Sequence, residues 1–537
     1  MKKTLSIIAC ALLSICSVWA QEGPVIKKFI FDDSAIINGM SDNGQYACAN
    51  AFNAEDALIQ TGARLIEIDT ETVTDLTANH GTFASMGTAD VTNDGSIVVG
   101  ELNHKPAYWS KATGMWTQLP CEDSEWYGEV KAITPDGKYA VGRQSIDEDG
   151  FYSLPALWDM TTGELIECPG IPEYDMTGKN QDQNWFNQIS ADGKLILGCI
   201  SYSYISNQFY YIYDVDKETY TPIGFTEDNK RFTPVVDGIL FINSANFSNN
   251  AEWVTGRAYM YKAIEGNEFG NQYETSFVYN VKNDEFTLYD TSFDSDMVAS
   301  AIDNNGHAMA ATPSGTPIRE WSIRNGAYWF PFNQVLQQQY GYDFYAKTSF
   351  ENTGTPLFIS DDNKRATVMV DPYSSYVVTL PTTFSEACNG VDLLGSYIVF
   401  PKEGATISRL KEITITFDHD IQIIGAKTCV EIRNAAGETV YNSIGFSASG
   451  KKATITYRSG SLSAGEKYTL HIPAGSIALA MDKNMSNKAI NIAYNGRENA
   501  PVKLTSIYPT EESTIAKIDN NTNPIVLTFD VPVYLPD

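Results

Sequence analysis

Ala132-Ile133-Thr134-Pro135-Asp136-Gly137-Lys138-Tyr139-Ala140-Val141-Gly142 sets two short apolar segments around an Asp-Gly pair. An Asp-Gly pair between alternating apolar residues is the strongest short-range signal for a β-hairpin, and it predicts a tight turn with both central residues at positive φ. The pattern returns at Ala89-Asp90-Val91-Thr92-Asn93-Asp94-Gly95-Ser96-Ile97-Val98-Val99-Gly100 and at Ile189-Ser190-Ala191-Asp192-Gly193-Lys194-Leu195-Ile196-Leu197-Gly198. Seven such turns superimpose, centred on Gly44, Gly95, Gly137, Gly193, Ala251, Gly306 and Asn363, at spacings of 51, 42, 56, 58, 55 and 57 residues. A period of about 40 to 60 residues accommodates four strands per unit, the size of a propeller blade.

The second half of each unit agrees. After each first hairpin comes an apolar segment ending in an aromatic, a polar turn and one more short strand, as in Ala107-Tyr108-Trp109-Ser110-Lys111-Ala112-Thr113-Gly114-Met115-Trp116 and Leu157-Trp158-Asp159-Met160-Thr161-Thr162-Gly163-Glu164-Leu165. Two hairpins make a four-stranded blade. These motifs resemble those of WD-repeat and TolB-like β-propellers, in which a Pro-Asp-Gly turn and then a Trp-Asp strand recur in each blade. They also resemble the hairpin repeats of exported bacterial autotransporter passengers. The resemblance spans roughly Pro24 to Phe384 and implies an all-β, seven-bladed propeller.

Three copies depart from the pattern. The fifth, Asn246-Phe247-Ser248-Asn249-Asn250-Ala251, lacks the turn glycine. In the sixth, Trp329-Phe330-Pro331-Phe332 leads into Asn333 to Tyr340, which reads as a short helix in place of the last strand. The seventh ends after Tyr376-Val377-Val378-Thr379-Leu380 with one strand missing, and Val25-Ile26-Lys27-Lys28-Phe29-Ile30-Phe31 is a spare strand near the chain start. Pairing the two closes the ring and removes the open edges.

From Cys388 onward the Asp-Gly turns stop. Ile413-Thr414-Ile415-Thr416-Phe417, Val430-Glu431-Ile432, Ala453-Thr454-Ile455-Thr456-Tyr457 and Tyr468-Thr469-Leu470-His471-Ile472 alternate at period two, as strands of a β-sandwich do. Tyr468 to Gly475 with Asp482-Lys483-Asn484 resembles the bacterial Ig-like domains first associated with S-layer proteins. Phe400-Pro401-Lys402-Glu403-Gly404 is echoed by Tyr508-Pro509-Thr510-Glu511-Glu512, so a second copy is expected to begin there and to continue beyond Asp537 in a longer protein. The expected domains are a signal peptide at 1–20, the propeller at 21–385, an Ig-like sandwich at 386–495 and the start of a second at 496–537.

Lys2 and Lys3, the apolar run Leu5 to Leu13 and Val18-Trp19-Ala20 have the form of a cleavable signal peptide. The chain is therefore expected in the periplasm, at the cell surface or outside the cell. No later stretch approaches the roughly 18 apolar residues of a membrane helix. With 37 basic and 66 acidic residues the net charge is −29, a balance that repels nucleic acid and anionic lipid. Of eight cysteines, Cys10 and Cys16 fall in the signal, and the other six show no CxxC spacing. Cys48 and Cys199 read as small buried hydrophobes, while Cys121 and Cys168 follow matching hairpins and pair only if their loops meet.

No catalytic grouping is recognisable. His80, His104, His307, His419 and His471 have no paired spacing, and Asp147-Glu148-Asp149-Gly150 and Asp361-Asp362-Asn363 lack the ligand alternation of a calcium loop. Neither a cofactor nor a metal is expected. In a four-stranded blade the Asp-Gly turn and the last turn share one face of the ring. The opposite face receives the middle loops and the links between blades, and these carry aromatics: Trp126, Tyr127, Trp185, Phe186, Tyr202, Tyr204, Tyr259, Tyr261 and Trp321. Flat amphipathic rings on loops of a rigid scaffold suit stacking on sugars or clamping of a peptide. The expected function is thus a non-enzymatic binding or adhesion protein presenting a loop face to a glycan or protein ligand. The alternatives are a propeller-type polysaccharide hydrolase or lyase and a structural envelope component.

Overall fold

In the computed structural model, the described residues are 23–30, 34–52, 60–77, 85–122, 127–145, 153–166, 168, 182–202, 207–228, 231–264, 267–289, 298–311, 321–326, 328–344, 355–371, 374–407, 409–480, 486–496, 504–508 and 526–529. The signal segment 1–20 lies outside them. The chain divides into two units, Met1–Val391 and Asp392–Asp537.

The first unit is a seven-bladed β-propeller. Six blades are antiparallel sets of four consecutive strands, within 34–75, 86–118, 128–166, 182–222, 239–288 and 298–331, and a parallel pairing of Ser153 with Gln183 joins the third and fourth into one eight-stranded sheet. The seventh takes Thr355–Ile359, Arg365–Asp371 and Ser374–Thr379 from its own sequence and Val25–Ile30 from the chain start. Val25 pairs with Thr379 and Ile30 with Ser374, so the spare strand closes the ring as the sequence predicts. A hairpin of Phe225–Asp228 with Arg231–Pro234 is added between blades 4 and 5. In blade 6 the last strand, Tyr328–Pro331, does form, and the helix Phe332–Tyr340 follows it instead of replacing it. Pro331 is tolerated there because this is the blade's edge strand, and it caps the helix that follows.

The repeated turns differ from the expected two-residue type. Gly137 N donates to Thr134 O at 2.8 Å and Thr134 N to Tyr139 O at 2.8 Å. Of the Asp-Gly pair only the glycine takes a positive φ, 75°. This is a type I turn, with Pro135 at its second position, where the proline ring presets φ, and Gly137 at its fourth. The Thr134 hydroxyl donates to Asp136 Oδ1 at 2.8 Å and accepts from Tyr139 N at 3.1 Å. Ser41, Thr92, Ser190, Ser248 and Ser360 bond in the same way to Asn43, Asp94, Asp192, Asn250 and Asp362. In blade 6 the carboxylate of Asp303 takes the hydroxyl's place, accepting from His307 N at 2.8 Å. Blade 5 keeps the conformation without glycine, with Ala251 at φ 52°.

Each blade's first strand slips against its second by one residue, at Asn38, Ala89, Lys131, Asn187, Asn243, Ser300 and Leu357, and blade 5 slips a second time at Leu240. Such bulges re-aim a side chain. They also explain the glycine that ends the repeat. A Cβ on Gly142 would overlap the Glu129 carbonyl oxygen, and one on Gly100 or Gly256 would overlap that of Gly87 or Ser244. First strands touch in succession from blade 1 to blade 4 and from blade 5 through blade 7 back to blade 1. Between blades the apolar faces pack into cores, with Cys48 and Cys199 fully buried in them. All six cysteines among the described residues are free thiols, Cys121 and Cys168 included.

In the second unit, Tyr397–Phe400, Arg409–Phe417, Lys452–Ser461 and Gly445–Ser449 form one sheet. Thr406–Ile407, Ile490–Gly496, Lys467–Ile472, Glu431–Asn434 and Thr439–Asn442 form the other. Ile413, Ile415, Ile455, Leu470 and Ile472 alternate into the buried space, as the period-two pattern requires. Of the expected second copy, the described residues hold the pair Leu504–Tyr508 and Val526–Phe529.

Candidate functional site

The site is built on the middle turn of blade 2. Leu102 pairs with Lys105, and Asn103 and His104 between them take φ values of 54° and 62°, the two-residue hairpin geometry in which both residues are left-handed. This fixes the His104 backbone against its surroundings: its N–H donates to Ser85 Oγ at 2.8 Å, and its carbonyl accepts from Gly128 N at 2.8 Å. Gly128 opens the first strand of blade 3. A Cβ there would come within 2.8 Å of the Arg143 carbonyl oxygen and 2.9 Å of Pro106 Cδ, so glycine permits the close approach of the two blades.

Tyr127, just before that strand, is 45% exposed, and its ring meets the His104 imidazole edge-on at 5.3 Å. His104 and Tyr127 line a cavity of 210 Å³ together with Glu101, Glu129, Arg143, Ser145 and Ser153. Glu129 and Arg143 face each other across adjacent strands. Arg143 Nε stands 2.7 Å and Lys131 Nζ 2.9 Å from the same oxygen, Glu129 Oε1. Burial works against ionisation of Glu129, but Lys131 and Arg143 outweigh it and hold the carboxyl below the usual range. Burial, and then the Glu129 charge, push the Glu101 carboxyl above it. One carboxylate is therefore fixed as an anion beside another that retains its proton more readily.

Of the aromatic candidates among the described residues, Tyr127 alone lines this cavity. Phe186 and Trp321 are fully buried; Phe186 stacks on Tyr213 at 5.6 Å and Trp321 on Phe332 at 3.8 Å. They are core residues in place of exposed stacking surfaces, since each sits where its strand turns toward the interior. Trp185 is half-buried against the core between blades 4 and 5. Tyr259 stacks on Phe241 at 4.6 Å in blade 5, and Tyr261 is half-buried on the same strand. Trp126 and Tyr204 lie outside the described residues, as does the Tyr202 side chain. Glu101, Glu129 and Arg143 were not singled out from the sequence. The available signal was a pair of charges in Gly128-Glu129-Val130-Lys131-Ala132-Ile133, a strand otherwise patterned for burial.

Among the described residues no group of three or more His, Cys, Asp or Glu side chains is placed to hold a metal ion, and no helix is long and apolar enough to cross a membrane.

Residues 398–494 match the model of the bacterial Ig-like domain. Among solved structures, TolB from Acinetobacter baumannii is similar at 11% identity and TM-score 0.30, covering 57% of this chain and 77% of that one. Oligogalacturonate lyase from Vibrio parahaemolyticus gives 11% and 0.30, covering 56% and 97%. The β-propeller domain of the Trilobed protease from Pyrococcus furiosus gives 8% and 0.32, covering 73% and 93%. No curated protein sequence matches. The chain is a β-propeller followed by a bacterial Ig-like domain, a combination that fits an exported protein.

Proposed function

We propose that this chain is an exported binding protein that holds one sugar ring of a glycan in the cavity between blades 2 and 3. The observation that carries the reading is that the exposed Tyr127 lines one cavity with a carboxylate and a guanidinium fixed in register. A pyranose has an apolar C–H face and a rim of hydroxyls. The first stacks on Tyr127, and the second donates to Glu101 and Glu129 and accepts from Arg143. The 210 Å³ volume lies below the roughly 300–1,000 Å³ of drug-sized pockets, so it suits a single ring of a longer chain. Probing a glycan array with the full chain tests the reading. Retention of a defined glycan set, lost in Tyr127→Ala and Arg143→Ala, supports it; uniform silence overturns it.

A second reading, a polysaccharide hydrolase or lyase, is favoured by the opposed proton affinities of Glu101 and Glu129, the pattern by which environment assigns an acid and a base. Release of new reducing ends from polysaccharides, abolished by Glu101→Gln, would select it over simple binding.

A further inference from the structure

Six Asn-Gly pairs occur in the chain, beginning at Asn38, Asn43, Asn305, Asn325, Asn389 and Asn495. In such a pair the backbone nitrogen of the glycine can close on the side-chain carbonyl carbon of the asparagine, because no Cβ on the glycine hinders the approach. Closure needs a side-chain amide free to turn, a glycine N–H not held by another acceptor, and space for the new ring. The fold denies this to four pairs at the glycine. Gly44 N donates to Ser41 O at 2.7 Å, Gly306 N to Asp303 O at 3.1 Å and Gly496 N to Glu466 O at 2.8 Å. Gly39 is packed so closely that a Cβ on it would stand 2.4 Å from the Ala89 carbonyl oxygen. At a fifth pair the asparagine is held, since Asn325 Nδ2 donates to Ser385 O at 2.9 Å.

Asn389-Gly390 differs on each count. The pair follows the short helix Phe384–Ala387, and Gly390 takes a φ of 77°, the left-handed conformation that ends many helices. Both residues are exposed. Only the backbone of Asn389 is engaged: its N–H donates to Glu386 O at 3.0 Å, and its carbonyl accepts from Gln339 Nε2 at 2.7 Å. Among the described residues neither its side-chain amide nor the Gly390 N–H has a partner. Nothing lies within 4 Å of the Cβ position of Gly390. We propose that Asn389 is a site of spontaneous covalent modification. The Gly390 nitrogen bonds to Asn389 Cγ and gives up its proton, the side-chain nitrogen leaves as ammonia, and water opens the resulting succinimide at either carbonyl to give aspartate or isoaspartate. In isoaspartate the chain runs through Cγ, and the carbonyl that Gln339 holds becomes the free carboxylate. The last turn of the first unit thus gains a negative charge with the age of the molecule.

The test incubates the full chain for weeks in mildly alkaline buffer, once folded and once in denaturant. Mass spectrometry follows each Asn-Gly peptide, and enzymatic methylation counts the isoaspartate. In the folded chain Asn389 should convert at least about tenfold faster than the other five asparagines, the factor expected where hydrogen bonds must first give way. In denaturant the six should converge, because each then presents only its Asn-Gly sequence. Gly390→Ala, which places a Cβ beside the attacking nitrogen, should slow the conversion of Asn389. Thermal melting checks that this variant is folded, and the comparison of folded with denatured chain decides the matter if it is not. The proposal is overturned if Asn389 stays intact in the folded chain, if it converts no faster than the other five, if its lead persists undiminished in denaturant, or if a folded Gly390→Ala converts as fast as the original chain.

Discussion

The Tyr46 ring of blade 1 lies directly over the turn glycine Gly95 of blade 2: a Cβ at Gly95 would stand 2.6 Å from ring carbons. The same relation joins Tyr139 to Gly193 and Trp253 to Gly306, so one blade's second strand is seated on the next blade's turn. The turn glycine serves its own loop, through its positive φ, and its neighbour, through its missing side chain.

Gly95→Ala should therefore lose more stability than a backbone penalty alone explains. Gly163, in the last turn of blade 3, has a similar φ of 75° but nothing within 4 Å of its Cβ position. Gly163→Ala should cost about 1 kcal/mol, the ordinary left-handed penalty, and Gly95→Ala about 2 kcal/mol or more because the Tyr46 ring must shift. Chemical denaturation of the two variants side by side measures the difference, and equal losses would refute the interlock.

Ring closure has its own side chain. Arg365 Nη1 donates to the Gly44 carbonyl at 2.6 Å and Nη2 to Asp69 at 2.8 Å, while Nε reaches Thr379 Oγ1 at 3.0 Å. Blade 7 is thereby fastened to blade 1. Arg365→Ala should destabilise the propeller by about 2 kcal/mol, the range for charge-assisted bonds to partly buried groups. Arg365→Lys should recover only part of this, because a compact ammonium lacks the planar fork that reaches three separated acceptors. Melting temperatures of the two variants check the order.

Asp42 and Asp90 should make stability fall as pH rises. Asp42 and Asp90 have ordinary values near 3.8 when unfolded and about 8 and about 7 in the fold. Between these limits the folded state holds protons that the unfolded state has released, so the slope of unfolding free energy against pH is negative. Their contribution is complete below about pH 4 and is lost by about pH 8. Asp42→Asn should flatten the decline between pH 5 and pH 8 and raise the melting temperature at pH 8. A wild-type curve that rises across that window without flattening in the variant would contradict the assignment.

In the pocket between blades 2 and 3, Glu129→Gln should be more damaging than the loss of a surface ion pair. The change leaves Lys131 and Arg143 facing a neutral amide in a half-buried place. Weakening of glycan retention by at least about tenfold is expected, with the fold intact by circular dichroism. Retention at wild-type strength would remove Glu129 from the site.

The hairpin repeat made the blade count and the closing strand legible, because turn chemistry and strand alternation are local. Two things were not legible. The exact turn type was hidden because Pro135-Asp136-Gly137 satisfies both a two-residue turn and a type I turn, and only the hydroxyl of Thr134, reaching across the loop, decides between them. The pocket was hidden because its residues come from different blades. Glu101 and Glu129 are ordinary carboxylates in their own strands and become a site only where Gly128 lets blade 3 approach Pro106. Among the aromatics, Phe186 and Tyr127 looked alike in the sequence, but one lies on an inward position of a strand and the other precedes its strand.

The closing strand also orders events in time. Val25–Ile30 leaves the ribosome, or any export channel, long before Ser374–Thr379. The first strand made is the last to find its partner, and the ring must assemble with a gap that only its own beginning can fill. Pairings of such long sequence separation are slow to form, so a half-delivered propeller is an open arc with an unsatisfied edge at each end. The molecule becomes a closed object only once delivery of its last blade is complete.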